Sequence, residues 1–453
     1  MSRQSLSPVM SQLSAYIAQA LRKPLPAPVV EKTKHHILDT LAAIVSGSRL
    51  LPGRKGISFV KTLGGTREAC VVGSRIVTSA VNAALANGMS AHADETDDSH
   101  AASLTHPGCG VVPAALAMAE RERRDGAALL RAVALGYDVG CRLTLSLDPY
   151  RFREDGHSTH SFGPTFGGAA AAAALAGLKE TQVRQVLSYA AQQASGISCW
   201  MRDPEHIEKA FDFGGMPARN GVTAAAMVAH GFSGVDDVFS GERSFFVAYK
   251  GNPDALVREL GETFEIMNAS IKRWSVGSPI QAPLDSLAEL MGKNDFEIKD
   301  LERVVVRVAH QGANTVDNRD MPDICMQHMC AVMLLDGTVS FKSSHDEKRM
   351  RSRGVVAIRE KLQLVVDDDL TRAMPSRQGI VELELADGRR LRHHTRAVRG
   401  TPENPMTRAE VDAKSYDLMV PVLGRGRARK LCDAVWQLDR MDDARKLRSL
   451  LSM

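Results

Sequence analysis

Aromatic side chains are scarce in this chain: they make up 5% of 453 residues, with three tryptophans. A β-sandwich or barrel draws heavily on aromatic and β-branched pairs, so packing here has to rest on Ala, Leu, Val and Met, which favours helices. The seven cysteines form no CxxC pair and are odd in number, which argues against a disulfide framework or a thiolate zinc site and fits a reducing compartment. Neither sign of charge prevails. Fifty-seven Lys and Arg face 53 Asp and Glu, too small a bias to point to nucleic acid, while a small anionic substrate stays open. No apolar run reaches the roughly 18 residues that span a bilayer. The longest candidate, GGAAAAAALAGL, is alanine-rich and short, and MSRQSLSPVMSQLSAYIAQALRKP lacks the apolar core of a signal peptide. The chain therefore reads as soluble and cytoplasmic, with no membrane or nucleic-acid partner.

What is present is mostly helical periodicity. Up to about residue 268, Ile37, Leu41, Ile44 and Val45 mark one helical face, and Leu129, Leu130, Val133 and Tyr137 another. Residues 81–91 read as a helix; Pro113 suits the first turn of the next. Gly177 is placed to end the alanine-rich helix and Thr181 to cap its successor. The pattern changes near residue 269. LERVVVRV and LQLVV are β-branched runs, IVELELADGRRLRHHTRAV alternates around Asp387-Gly388 as a hairpin does, and HMCAVMLLDG between them is helical. After TPENPMT the helical spacing returns. The expected fold class is therefore mainly α: a large helical domain over 1–268, completed by 402–453, and a smaller α+β domain over 269–401.

Titratable groups crowd one junction, HADETDDSHAASLTHP. A metal box of paired acidic motifs needs a second motif on a facing helix, and neither Asp236-Asp237 nor Asp367 to Asp369 has that form; no metal is expected. Acid/base chemistry needs further histidines and cations. GHSTHSFGPTFGG supplies His157 and His160, EKAFDFGGMPARNG supplies Lys209 and Arg219, and IKRWSVGSPIQAPLD supplies Lys272 and Arg273. His100 and His160 read as loop or capping residues, and His92 and Asp94 as the finish of the preceding helix.

The segments ANGMSAHADETDDSH, THPGCGVVPAALAMAE, ALGYDVGCRL, GHSTHSFGPTFGGAAAAAALAGL, KAFDFGGMPARNGVTAAAMVAHGFSG, KRWSVGSPIQAPLD, MLLDGTVSF and NPMTRAEVDAKSYDL resemble, in order and spacing, the MmgE/PrpD family. The resemblance implies a homodimer acting on small polycarboxylates without metal or organic cofactor, by loss of water, loss of CO₂ or epimerisation. It carries the family's acidic loop onto Glu95, Asp98 and Ser99, its THP histidine onto His106, the histidine before the Gly-rich helix onto His157, and its lysines onto Lys209 and Lys272. Glu95 and Ser99 replace the usual Asp and Thr, Gly277 stands where many members have His, and His328 where Tyr is common. The implied roles are general acid and base for His106 and His157, orientation of those rings by Glu95 and Asp98, and carboxylate binding by Lys209, Lys272 and Arg273, with Ser99 and His328 at the substrate. The expected activity is a cofactor-independent lyase, foremost a dehydratase of a hydroxy di- or tricarboxylate. An epimerase, a decarboxylase or a silent carboxylate-binding homologue are the alternatives.

Overall fold

A computed structural model describes residues 6–453. The chain divides into two compact units, the first holding the residues up to Ala93, Asp97–Ala269 and Arg408–Met453, the second Asp94–Thr96 and Ser270–Thr407.

The first unit is helical apart from a short ladder of Ala69–Cys70 against Val77–Thr78. Its main helices are α1 (Ala27–Gly47), α2 (Ala80–Ala91), α3 (Pro107–Arg121), α4 (Gly126–Ser146), α5 (Thr159–Leu175), α6 (Met216–Ala229) and α7 (Arg408–Leu423). Side chains cap two of them: Ser79 accepts from Asn82 N–H at the start of α2, and Asp125 from Ala128 N–H at the start of α4. α5 is buried along its whole length. It has no polar face because α3, α4 and α6 surround it, and its small residues let those backbones come close. At the α4–α5 crossing a Cβ on Gly167 would lie 2.4 Å from the Gly136 carbonyl oxygen. α7 returns to this unit, where Lys414 forms a buried ion pair with Asp39 of α1 at 2.6 Å.

Two local expectations are corrected. Pro113 lies inside α3, which starts at Pro107; Pro107 already fills the first-turn place. Thr181 falls in the first turn of Glu180–Gln193, whose N-cap is Lys179. Gly177 does follow the end of α5, at φ 68°.

The second unit is α+β. Strands β1 (Leu301–Val308), β2 (Leu362–Val366), β3 (Gly379–Leu385) and β4 (Arg390–Thr395) form one sheet in the order β2-β1-β3-β4. β1 pairs parallel with β2 and antiparallel with β3, and β3 and β4 form the hairpin, with Gly388 at φ 83° in its turn. Its core joins Val304 and Val306 of β1 to Leu284 and Leu287 of the helix Ser278–Lys293, and to Met329 and Met333 of the helix Met326–Asp336. No helix among the described residues is long and apolar enough to cross a membrane.

Candidate functional site

The end of α2, the start of α3 and the start of α5 converge on one buried group of the first unit. His92 is the residue just past α2, His106 the residue just before α3, and His160 lies in the first turn of α5. Phe213 stacks on the imidazoles of both His92 (4.2 Å between centroids) and His160 (3.8 Å). It comes from a π-helical turn, Phe211–Gly215, an irregularity common at functional sites. That turn sits directly on α2: a Cβ at Gly88 would lie 2.3 Å from the Gly214 carbonyl oxygen. The ring of His106 is 5.1 Å from His92 and 5.3 Å from His160, and His206 is 5.1 Å from His92. Lys209 places its ammonium 5.3 Å from the Phe213 ring and 5.6 Å from that of Trp200, a cation–π arrangement.

Asp97 organises this group. One carboxylate oxygen bonds His92 Nδ1 at 2.9 Å and the other His106 Nδ1 at 3.1 Å. Burial alone pushes a carboxyl up, but the two imidazoles outweigh it and hold Asp97 well below the usual range. An ionised carboxylate only accepts, so both Nδ1 atoms carry hydrogen and both Nε2 atoms carry the exchangeable site. The donor atoms of His92, Asp97 and His106 lie within 4.8 Å of one another, a separation that a metal would also need. In this arrangement each Nδ1–H is engaged by one Asp97 oxygen. Burial, reinforced by His106, Arg153, His92 and Lys209, drives His160 well below the ordinary histidine value, so it stays neutral.

The adjacent Asp98 faces another way. It accepts from His36 Nδ1 at 2.7 Å, Tyr137 Oη at 2.5 Å and the Gly108 N–H at 3.0 Å. Burial holds His36 near 4 despite Asp98. Asp98 therefore fixes the start of α3 to α1 and α4, and the expectation that it orients a site histidine is corrected: Asp97 does so. His157 is also placed apart. Its ring stacks on Phe152 at 4.4 Å and meets Tyr249 at 5.7 Å, and His160, three residues on, occupies the place beside His106. Ser99 is buried in the loop between α2 and α3. His100 turns to Glu265 at 3.3 Å, on a cleft of about 660 Å³ rimmed also by Arg142, Arg151, Lys250 and Arg258. Two of its arginines are committed within the fold, Arg142 to Asp138 and Arg151 to the Leu147 and Lys250 carbonyls.

The remaining expected residues belong to the second unit. Lys272 donates to the Glu95 carbonyl at 2.8 Å and pairs with its carboxylate at 3.4 Å. Asp94 accepts from the Thr96 N–H and hydroxyl and pairs with His345 at 3.0 Å; although burial opposes it, this pairing raises His345 to about 9. Arg273 lies over Trp274 at 4.5 Å and near Asp285 at 3.6 Å, so it braces that indole. His328 is fully buried among the unit's apolar residues, with no hydrogen bond to either ring nitrogen among the described residues. Burial, with the charges of Arg359 and Arg349, lowers it to about 4. That corrects its expected place at the substrate, because a ligand contact needs access. His92, Asp97, His160, His206 and Phe213 are the residues that sequence reasoning missed. HADETDDSH and GHSTH contained three of them; the spacing of neither motif says which way a loop side chain turns.

Beside the cluster, Ser158 donates to Asp212 and accepts from Trp200 Nε1 at 3.2 Å. Burial raises Asp212 to about 7, with the Ser158 hydroxyl partly offsetting it and Glu208 adding to it. The folded value exceeds the unfolded one of about 3.9, so stability falls as pH rises from about 4 to 7, and the full cost stands above 7. Asp212→Asn is expected to gain on the order of 2–4 kcal/mol at pH 8 and nothing at pH 4, by denaturant unfolding. An equal gain at both values would remove ionisation as the cause.

Comparison with known proteins agrees with this fold. A family model described as the MmgE/PrpD N-terminal domain matches residues 11–257, and one described as the MmgE/PrpD C-terminal domain matches 274–439. The chain is 25% identical over 303 residues to the cis-aconitate decarboxylase-like protein oryM of Aspergillus oryzae, covering 62% of this chain and 61% of that protein. It is 22% identical over 480 aligned positions to a cis-aconitate decarboxylase of Aspergillus terreus, covering 98% of this chain and 96% of that enzyme. Matched from residue 11 to 439 by the two models in succession, this chain belongs to the MmgE/PrpD family.

Proposed function

We propose that the protein is a lyase that breaks a bond next to a carboxylate in a small polycarboxylate, with His106 as the proton-transfer group. The observation that carries this reading is the His106 imidazole, buried but keeping 8% exposure where His92 beside it has none, and held at Nδ1 by the buried Asp97 carboxylate. Such a ring presents Nε2 in one tautomer and one direction, which a general acid or base requires. The chemistry shared by loss of water and loss of CO₂ is a carbon that briefly holds an electron pair beside a carboxylate. In the first, His106 Nε2 takes the proton from that carbon and the hydroxyl leaves as water after protonation. In the second, the C–C bond breaks, CO₂ departs, and the carbon takes a proton from the His106 imidazolium. Lys209 stabilises the charge that spreads into the remaining carboxylate. The relatives named for cis-aconitate decarboxylation make cis-aconitate the first substrate to try.

The test is proton NMR in D₂O with cis-aconitate, 2-methylcitrate, citrate and iminodisuccinate, and a parallel assay for CO₂. New vinylic signals, with or without CO₂, name the lyase reaction. Deuterium uptake at carbon without bond cleavage replaces the reading with an epimerase, and silence across the panel overturns it.

A further inference from the structure

We infer that His92 is a positioning residue for His106, acting through the carboxylate that the two imidazoles share. This rests on the reading of His106 given above and adds a residue that never meets the substrate. His92 is fully buried, its Nε2 has no hydrogen-bond partner among the described residues, and its face is covered by Phe213 at 4.2 Å. Nothing from solvent reaches that ring. Among the described residues the ring's hydrogen bond is Nδ1–H on Asp97, through the oxygen that His106 does not use.

Two donors on one carboxylate divide its charge. With both in place, Asp97 is pinned in the plane that aims His106 Nε2, and its pull on a proton at His106 is shared. Without the His92 donor the whole charge falls on His106. The imidazolium is then more favoured, and the same ring gives up its proton less readily. Other groups facing this pair include His160 on α5, Cys109 on α3, whose thiol donates to the His106 carbonyl at 3.1 Å, and His206 and Lys209 on the segment before the π turn. Of these, His160 also feels the charge at His92, and both substitutions remove that charge alike, so the contrast between them is left to the donor on Asp97.

Two substitutions separate this role from mere packing. His92→Phe keeps a ring on Phe213 and removes the donor; His92→Asn keeps an N–H near the Nδ1 position and removes the ring. The titration of His106 is followed by imidazole NMR in the substrate-free protein, with His106→Asn identifying the signal. In His92→Phe the midpoint is expected to rise by about one pH unit, and the acid limb of kcat/KM to rise with it; His92→Asn stays near the parent in both. A midpoint that moves in neither variant, or in His92→Asn alone, overturns the inference. Because the NMR readout needs no substrate, a shifted midpoint without turnover of the panel rejects the lyase reading alone. Turnover with an unshifted midpoint rejects this inference alone.

Discussion

Asp97→Asn is expected to lower turnover by about 10²–10⁴-fold while leaving the helical fold intact. The reason is a count of donors and acceptors. The two Nδ1–H groups of His92 and His106 each need an acceptor, and Asp97 gives one oxygen to each. A carboxamide has one acceptor oxygen and one NH₂ donor, so one ring must change tautomer or lose its bond. If His106 is the ring that changes, Nε2 carries the hydrogen and has no lone pair with which to take a proton. Combining Asp97→Asn with His106→Asn should cost little beyond His106→Asn alone, since the two act as one unit. Retention of turnover within threefold in Asp97→Asn would show that His106 does not work through this carboxylate.

The same substitution has a signature in stability. Asp97 is held well below its unfolded value, so its contribution is present above about pH 4 and is lost as pH falls through the depressed folded value. Removing one partner of a buried charged set costs on the order of 3–5 kcal/mol near neutral pH. The gap between parent and variant should close on acidification, as it does for Asp212→Asn, but from a loss of stability instead of a gain.

A second large effect is expected at Gly88, which has no side chain and meets the site only through its carbonyl, the acceptor of the His92 N–H at 3.3 Å. Gly88→Ala puts a methyl group 2.3 Å from the Gly214 carbonyl oxygen, a contact with backbone that no rotamer relieves. Either α2 or the π turn has to move. A loss of about 3 kcal/mol by denaturant unfolding is expected, with loss of turnover, because the displaced turn carries Phe213 off the two imidazoles. Gly292→Ala serves as the control. Gly292 is also helical, nothing lies within 4 Å of an added Cβ, and replacing it should stabilise by about 0.5–1 kcal/mol. Equal behaviour of the two variants would mean that the α2 contact is not tight.

Much of the backbone was legible without a structure. The spacing around Ile37 and Leu41, the β-branched run LERVVVRV and the Asp387-Gly388 turn announced elements that are present, because periodicity and turn chemistry are local properties. Pro113 misled because Pro107, six residues earlier, already provided the start of α3. The resemblance to a family put His106 and Lys209 near chemistry, and both lie in the clustered group. It also pointed to His157 and Asp98, which the fold turns toward Phe152 and toward His36 and Tyr137.

What the amino-acid order determined by itself was the kind of protein: helices packed on alanine and glycine, a smaller α+β unit, and titratable groups gathered in a few loops. Which of those groups face one another was decided only in three dimensions. Asp97 and Asp98 are neighbours on the chain, yet one bonds two histidines of the cluster and the other a buried tyrosine and histidine. His157 and His160 stand three apart, and only the second is carried by the first turn of α5 onto Phe213. Periodicity records which side of an element is buried. The direction of a loop side chain depends on partners far away in the chain, and those partners exist only after the fold has formed.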